Sequence, residues 1–392
     1  MRPEAGPAPP LPLARWATRR LAAFARDCGA SSLAALSGET LLGERARLGG
    51  FAIPGRISAG GGCRLIAARD GWIALNLARG DDRDLLPALL EQAIAPDDDA
   101  ALERAIADRD AAGLTARGRE MGLAIAALDE TPVSPAVERL GPCAQVAPPR
   151  RAPLVIDLAA LWAGPLCGNL LRLAGAEVIK LENPNRPDRM REGEPAFFAL
   201  LNQGKSNVAL DPALNADRAA LLALLARADI VIEAARPRGL AQLGIDAAAL
   251  AAQRPGLVWM TITGHGARGE AAGWTGFGDD CAVAGGLSAA LRDASGRIGF
   301  VGDAPADPLT GIVAAHEAWR AWHSGAGGRI GLAMSAIAAT ALTEERAFDP
   351  ALLHSELAEW GTATGQPFPP APMREPAAPA RPLGADNARW LG

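Results

Sequence analysis

No tyrosine occurs in this chain, histidine occurs only four times, and no apolar run approaches the ~18 residues that a membrane-crossing helix needs. The opening stretch MRPEAGPAPPLPLARWATRR also lacks the apolar core of a secretory signal, so a soluble, cytoplasmic protein is expected. The five cysteines, Cys28, Cys63, Cys143, Cys167 and Cys281, are widely spaced, odd in number and form no C-x-x-C. That argues for reduced thiols and against a disulfide framework or a metal site. No G-x-G-x-x-G is present, so the dinucleotide fingerprint is missing. A formal net charge of −5, with Lys and Arg scattered among Asp and Glu, leaves no basic stripe for a nucleic acid.

What is present is concentrated in residues 153–182, PLVIDLAALWAGPLCGNLLRLAGAEVIKLE. Leu154 to Leu158 form an apolar run of the kind a parallel strand buries on both faces, and Ala159 to Gly164 break it with small residues. Pro165 suits a first helical turn. Leu166, Leu170, Leu171 and Leu173 recur at near-helical spacing, and Gly175 caps the helix before a second strand from Glu177 to Leu181. The spacing predicts one βαβ unit whose small-residue turn offers free N–H groups and a positive helix end to an anion. The same ingredients fit a turn that binds nothing.

A chain of 392 residues allows roughly two to three domains. Residues 1–148 carry a helical pattern through Trp16, Leu21 and Phe24, the Gly-rich LGGFAIPGRISAGGGCRL, and a hairpin turning at Arg69-Asp70-Gly71 with Trp72 to Leu77 as its return strand. Residues 84–127 read as helical, broken at Pro96-Asp97-Asp98-Asp99. The Pro-rich segment 131–153 is a boundary. Residues 149–345 then alternate: strand 154–158, helix 165–174, strands 177–181 and 207–210, helix 215–227, strand 229–234, helices across 239–253 and strand 257–263. After a Gly-rich stretch, 265–306, come a helix from Pro308 to Trp322, a turn over 324–328 and the strand IGLAMS. Residues 346–392 end in a last helix and a Pro-rich arm. The expected class is α/β: a large Rossmann-like parallel-sheet domain plus a smaller α+β domain.

Five segments in order, VIDLAALWAGPLCGNLLRLAGAEVIKLENP, LNQGKSNVALD, DIVIEAARPRGLAQLGID, WMTITGHGARG and GRIGLAMSAI, resemble the class III CoA-transferases, the CaiB/BaiF group. In that family the small domain follows the GRIGLAMS-like strand. Here residues 50–130 resemble it instead, with AGGGCRLIAARDGWIAL similar to its Gly-rich loop, and PARPLGADNARWLG resembles the closing segment that returns to the large domain. The resemblance therefore implies a permuted order. It also implies a homodimer, no permanently bound cofactor or metal, and coenzyme A as part of the substrate, exchanged between an acyl-CoA and a carboxylic acid with no membrane or nucleic-acid partner.

The family's nucleophile is an aspartate followed by two variable residues, Thr-Gly and an apolar helix. The matching run is Asp307-Pro308-Leu309-Thr310-Gly311-Ile312, which points to Asp307, with Asp303 as fallback; Asp before Pro is equally what an ordinary helix N-cap looks like. For coenzyme A the resemblance implies Trp162, Ala163, Leu210, Arg236, Gly276 and Phe277, and Lys180, Arg186 and Arg189 are charge partners on the loop after the second strand, or else solvated charges. Gly60, Gly61 and Gly62 are candidates for a loop that covers the reacting carbonyl, or simply a flexible approach to the hairpin. Ala234-Ala235 and Phe277-Gly278 depart from the family's Asn-Phe and Tyr-Asp. The implied activity is CoA transfer through an aspartyl anhydride and an aspartyl-CoA thioester. The alternatives are an α-methylacyl-CoA racemase, which needs a histidine partner that residues 271–300 do not supply, and an inactive acyl-CoA binder.

Overall fold

The computed structural model describes residues 8–95, 97–234, 239–240 and 244–392. Helices α1 (Ala14–Cys28), α2 (Ser31–Ala34) and α3 (Gly38–Leu48) come first. An antiparallel sheet follows, of β1 (Cys63–Ala67), β2 (Trp72–Asn76) and β3 (Ala124–Ala127), with α4 (Leu86–Leu90), α5 (Asp99–Ala107) and α6 (Ala111–Glu120) between β2 and β3. Next are β4 (Val137–Arg139), β5 (Ala144–Gln145), β6 (Leu154–Asp157), α7 (Ala163–Leu173), β7 (Glu177–Glu182), α8 (Pro195–Asn202) and β8 (Ser206–Ala209). The chain continues through α9 (Asn215–Leu225), β9 (Ile230–Glu233), α10 (Ala247–Gln253), β10 (Val258–Thr263), α11 (Gly278–Ala284) and α12 (Leu287–Ser295). Helix α13 (Ala306–His323), β11 (Ala326–Ala333), α14 (Met334–Phe348), α15 (Pro350–Thr362) and α16 (Asn387–Leu391) complete it. Among the described residues no helix is long and apolar enough to cross a membrane.

The large sheet runs β4-β11-β10-β9-β6-β7-β8, with β5 also on β11. Only β4 and β5 pair antiparallel; the other neighbours are parallel. The expected mixed α/β class with a large, mostly parallel sheet is therefore what forms. Residues alternate between its two faces at the strand period of two. Val155, Ile230, Ile232 and Met260 join one core with α7, α13 and α14, and Ile156, Val231 and Trp259 join a second core on the other face with α9. Helices α1 and α3 contribute Trp16, Leu21, Phe24, Leu41 and Leu42 to the first of these cores. The small sheet is covered likewise, Ile73 and Ile125 against α4–α6 and Ala74 and Ala126 against Val283, Ala284 and Phe300.

Several local expectations change. Residues 124–127 form β3 and not helix, because a strand buried on both faces shows no alternation to read. The expected turn at 324–328 is shorter, since β11 already begins at Ala326. Its glycines serve close approach: a Cβ on Gly327 would stand 2.5 Å from the backbone nitrogen of Gly256. Met334 and Ser335 open α14 and do not extend the strand. The Gly-rich stretch holds α11 and α12, and 195–202 holds α8, none of them predicted.

The strand order reverses at β6, with β7 and β8 to one side and β9 to β11 to the other. In open parallel sheets ligands sit at such a switch point, outside the carboxyl ends of the strands. The turn after β6 lies there, pinned from below by two buried lysines. Lys205 donates to Asp157 Oδ2 (2.8 Å), to the Pro165 carbonyl (2.8 Å) and to Asn202 Oδ1 (3.1 Å). Lys180 donates to the Ala159 carbonyl and to Asp188 Oδ2, each at 2.9 Å. Asp188 Oδ1 in turn accepts the N–H of Leu161 at 3.1 Å, a residue held at φ 68°. A left-handed leucine persists only where its surroundings over-determine it. Lys205→Met should strand the Asp157 charge and lower stability by about 3–5 kcal/mol in urea unfolding, whereas Asp157→Leu with Lys205→Met should recover more than half of that loss. Equal loss in the single and double variants would contradict a charge-balance role.

Candidate active site

Asp307 lies in the first turn of α13, whose N-cap is Pro305 with no side-chain cap bond. The helix thus starts two residues before the predicted Pro308, and Asp307 is not its cap. Its Oδ1 instead accepts the N–H of Ala163, the first residue of α7, at 3.3 Å. Two helix N-termini therefore converge on one carboxylate, and each favours its ionised form. The helices meet this closely because of Gly311, where a Cβ would stand 2.9 Å from the Ala163 carbonyl oxygen. Gly278 at the start of α11 leaves room for the Asp307 carboxylate in the same way, since any side chain there would strike Oδ2.

Opposing charges decide the state of Asp307. The carboxyl is pushed up to about 7, first by burial and then by Asp279 and Asp303, while Arg45 and the Ala163 N–H pull it down. The side chain nevertheless keeps partial accessibility. Arg45 comes from α3, far away in sequence. Its Nε donates to Asp303 Oδ2 at 2.8 Å and its Nη2 to Oδ1, and its guanidinium lies 5.0 Å from the centre of the Trp162 ring. Burial works against that guanidinium, yet Asp303, Asp279 and Asp307 hold it above its ordinary value. Asp303, the fallback candidate, is fully buried and paired with Arg45. Ala304, next to it, is held at φ 44°, and its N–H donates to Asp279 Oδ1 at 3.0 Å. A non-glycine residue in that region stores strain beside the carboxylate.

Of the residues singled out from sequence, Asp307, Ala163 and Trp162 come together, and Gly276 and Phe277 lead into Gly278, which packs on the Asp307 carboxylate. Trp162 is core rather than platform: it is buried and meets Phe197 edge-on at 5.1 Å. Gly60 belongs to the neighbourhood as well, because a Cβ there would stand 3.1 Å from Arg45 Nη2; Gly61 and Gly62 continue that loop toward β1. Lys180 is not on the loop after the second strand but inside β7, its ammonium consumed by Asp188. Arg186 and Arg189 are exposed on that loop. Leu210 is buried in the core on the far face of the sheet. Arg236 lies outside the described residues. Sequence reasoning missed Arg45, Asp279, Asp280, Lys205 and Asp188. Only the adjacent pair Asp279-Asp280, two acids inside GFGDDCAVAGG, carried a visible signal.

Residues 153–362 match CoA-transferase family III, more than half of the chain, and the chain belongs to that family. It is 33% identical over 221 residues to a succinate–glutarate CoA-transferase of Agrobacterium fabrum, covering 50% of this chain and 55% of that protein. It is 34% identical over 142 residues to a succinyl-CoA–D-citramalate CoA-transferase of Chloroflexus aurantiacus, covering 34% and 35%. A crystal structure of the hypothetical protein Rv3272 from Mycobacterium tuberculosis aligns at 25% identity with TM-score 0.45, over 52% of this chain and 59% of that one. The matched segment spans from about a third to just over half of the length of these curated relatives.

The raised Asp307 carboxyl sets a stability trend. Between about pH 4, where an aspartate of the unfolded chain titrates, and about pH 7 the native state holds a proton that the unfolded state has released, so this group makes stability fall as pH rises through that window. Asp307→Asn should therefore melt higher than wild type at pH 8 and together with it at pH 4. Equal melting points at both pH values would contradict the burial argument.

Proposed function

We propose that the protein transfers coenzyme A from an acyl-CoA thioester to a carboxylic acid, with Asp307 as nucleophile. The observation that carries the reading is the Asp307 carboxylate set between the N-termini of α13 and α7, beside the switch point of the parallel sheet. The ionised carboxylate attacks the acyl carbonyl and expels CoA thiolate, giving a mixed anhydride. The thiolate then attacks the aspartyl carbonyl, releasing the donor acid and leaving an aspartyl-CoA thioester. The acceptor carboxylate attacks that thioester, expels the thiolate and forms a second anhydride. Attack of the thiolate on the acceptor's acyl carbonyl releases the new acyl-CoA and returns Asp307.

Each step builds negative charge on a carbonyl oxygen, and an anhydride must be kept from water. Backbone N–H groups at the head of α7 and the loop Gly60-Gly61-Gly62 serve those two needs, the loop lying against Arg45. The small sheet, packed on α11, takes the place of the family's small domain in permuted order. Coenzyme A occupies the crevice at the β6 turn, with Arg186 and Arg189 exposed beside it for its phosphates. Arg45 keeps the nucleophile ionisable near neutral pH by opposing the effect of burial.

The names of the relatives make succinyl-CoA the first donor to try. Incubation with it, followed by hydroxylamine, should modify only the peptide carrying Asp307, and Asp307→Ala should abolish both the modification and transfer, by roughly 10³-fold or more. Modification at Asp303, or solvent deuterium entering the α-carbon of a 2-methylacyl-CoA with no acceptor acid present, would overturn the reading. With an active donor, kcat/KM should rise with pH through about 7, and Arg45→Gln should move that rise to higher pH. An unmoved profile would remove Arg45 from this role.

A further inference from the structure

Behind the start of α11 sits a cluster that CoA transfer does not use. His265 follows β10, and Asp280 and Cys281 lie in α11. All three are buried to 2% exposure or less, and one donor atom from each lies within 4.8 Å of the other two. We propose that His265, Asp280 and Cys281 bind a divalent transition-metal cation of the zinc class.

The imidazole carries the argument. Its Nε2 is buried and, among the described residues, has no hydrogen-bond partner. A buried imidazole nitrogen left free in this way is available as a metal ligand. Trp274 meets the same ring edge-on at 5.7 Å and restrains its plane.

The space beside Nε2 is also shaped. A Cβ on Gly276 would stand 3.0 Å from His265 Nε2 and 2.5 Å from Cys281 Sγ. The gap between the nitrogen and the sulfur is open only because residue 276 is glycine. Asp280 is oriented by Asn76 Nδ2 at 3.0 Å and by the Phe277 N–H at 3.1 Å. Cys281 Sγ has only the Gly264 carbonyl at 3.4 Å and Asp280 Oδ2 at 3.9 Å. Arg119, whose charge acts on the ring, is paired with Glu130 at 2.6 Å.

One nitrogen, one thiolate and one carboxylate oxygen select zinc or its surrogate cobalt over magnesium or calcium, which take oxygen ligands alone. Metal bonds of about 2.0–2.3 Å need the donors somewhat closer than they stand, and inward movement into the Gly276 gap supplies this. On coordination the thiol loses its proton to solvent. A bound ion would clamp the first turn of α11, including Gly278, which packs on the Asp307 carboxylate.

The proposal stands whether or not Asp307 is the nucleophile, and the test reads metal and not turnover. The full chain, untagged, is purified from zinc-supplemented medium, dialysed against EDTA and assayed for metal. About one zinc per chain is expected for wild type and for Cys143→Ser, with near-complete loss in His265→Gln and Cys281→Ala, each checked for native circular dichroism. Refolding the wild type with cobalt alone should add a thiolate-to-cobalt charge-transfer band, and that spectrum decides if neither variant folds. Wild type without zinc, zinc retained equally by both folded variants, or a cobalt complex without the thiolate band would overturn the site.

Discussion

The ammonium of Lys205 joins three pieces of chain that also share one apolar core. It joins the end of β6 through Asp157, the first turn of α7 through the Pro165 carbonyl, and the end of α8 through Asn202. Every one of its donors is used, the condition under which a buried charge is tolerated. A Cβ on Gly168 would stand 3.0 Å from Asp157 Oδ2 and 3.1 Å from Lys205 Nζ, so even a methyl group on that face of α7 would crowd the pair. The position of α7 fixes the Ala163 N–H, and the Ala163 N–H fixes Asp307. The Asp307 carboxylate is thus placed by way of an ion pair at the end of the internal strand β6.

Two demands on that carboxylate oppose each other. For the transfer proposed above it has to be dry, because an anhydride in water is lost, and it has to ionise, because a protonated acid is no nucleophile. Burial beside two other acids serves the first demand and pushes the group to about 7. The helix ends and Arg45 serve the second. Arg45 is tied to Asp303 by a two-pronged contact, so its charge stays put. The residue comes from α3, outside the stretch that matches the family. The N-terminal segment is accordingly part of the site and not an appendage to it.

The C-terminal arm has a comparable structural duty. Strand β8 would be an open edge, a hazard for sheets. Asp386 Oδ2 accepts the Asn207 N–H at 2.8 Å and Asn387 Oδ1 accepts the Ala209 N–H at 2.9 Å, so side chains of the arm satisfy that edge. Further up the arm, Arg374 reaches Glu44 Oε2 at 2.8 Å and Asn169 Oδ1 at 3.0 Å, joining α3 to α7. The two ends of the chain therefore meet over the βαβ unit.

By itself the sequence determined the sheet. Runs such as VWMTIT are apolar and β-branched enough to be strands, and the spacing of helices between successive strands favours parallel pairing. Asp307 was singled out because the run Asp307-Pro308-Leu309-Thr310-Gly311 resembles the family's pattern around its nucleophile. The boundaries of β3 and β11 were not legible, since burial on both faces erases the alternation and a strand glycine reads as a turn. Nor were Arg45 or the free nitrogen of His265. Their neighbours come from other elements, and an ion pair between residues 45 and 303 leaves no trace in local spacing. Only tertiary packing decided which charges share the space around Asp307, because a carboxylate's protonation depends on what lies within a few ångströms of it, whatever the separation along the chain.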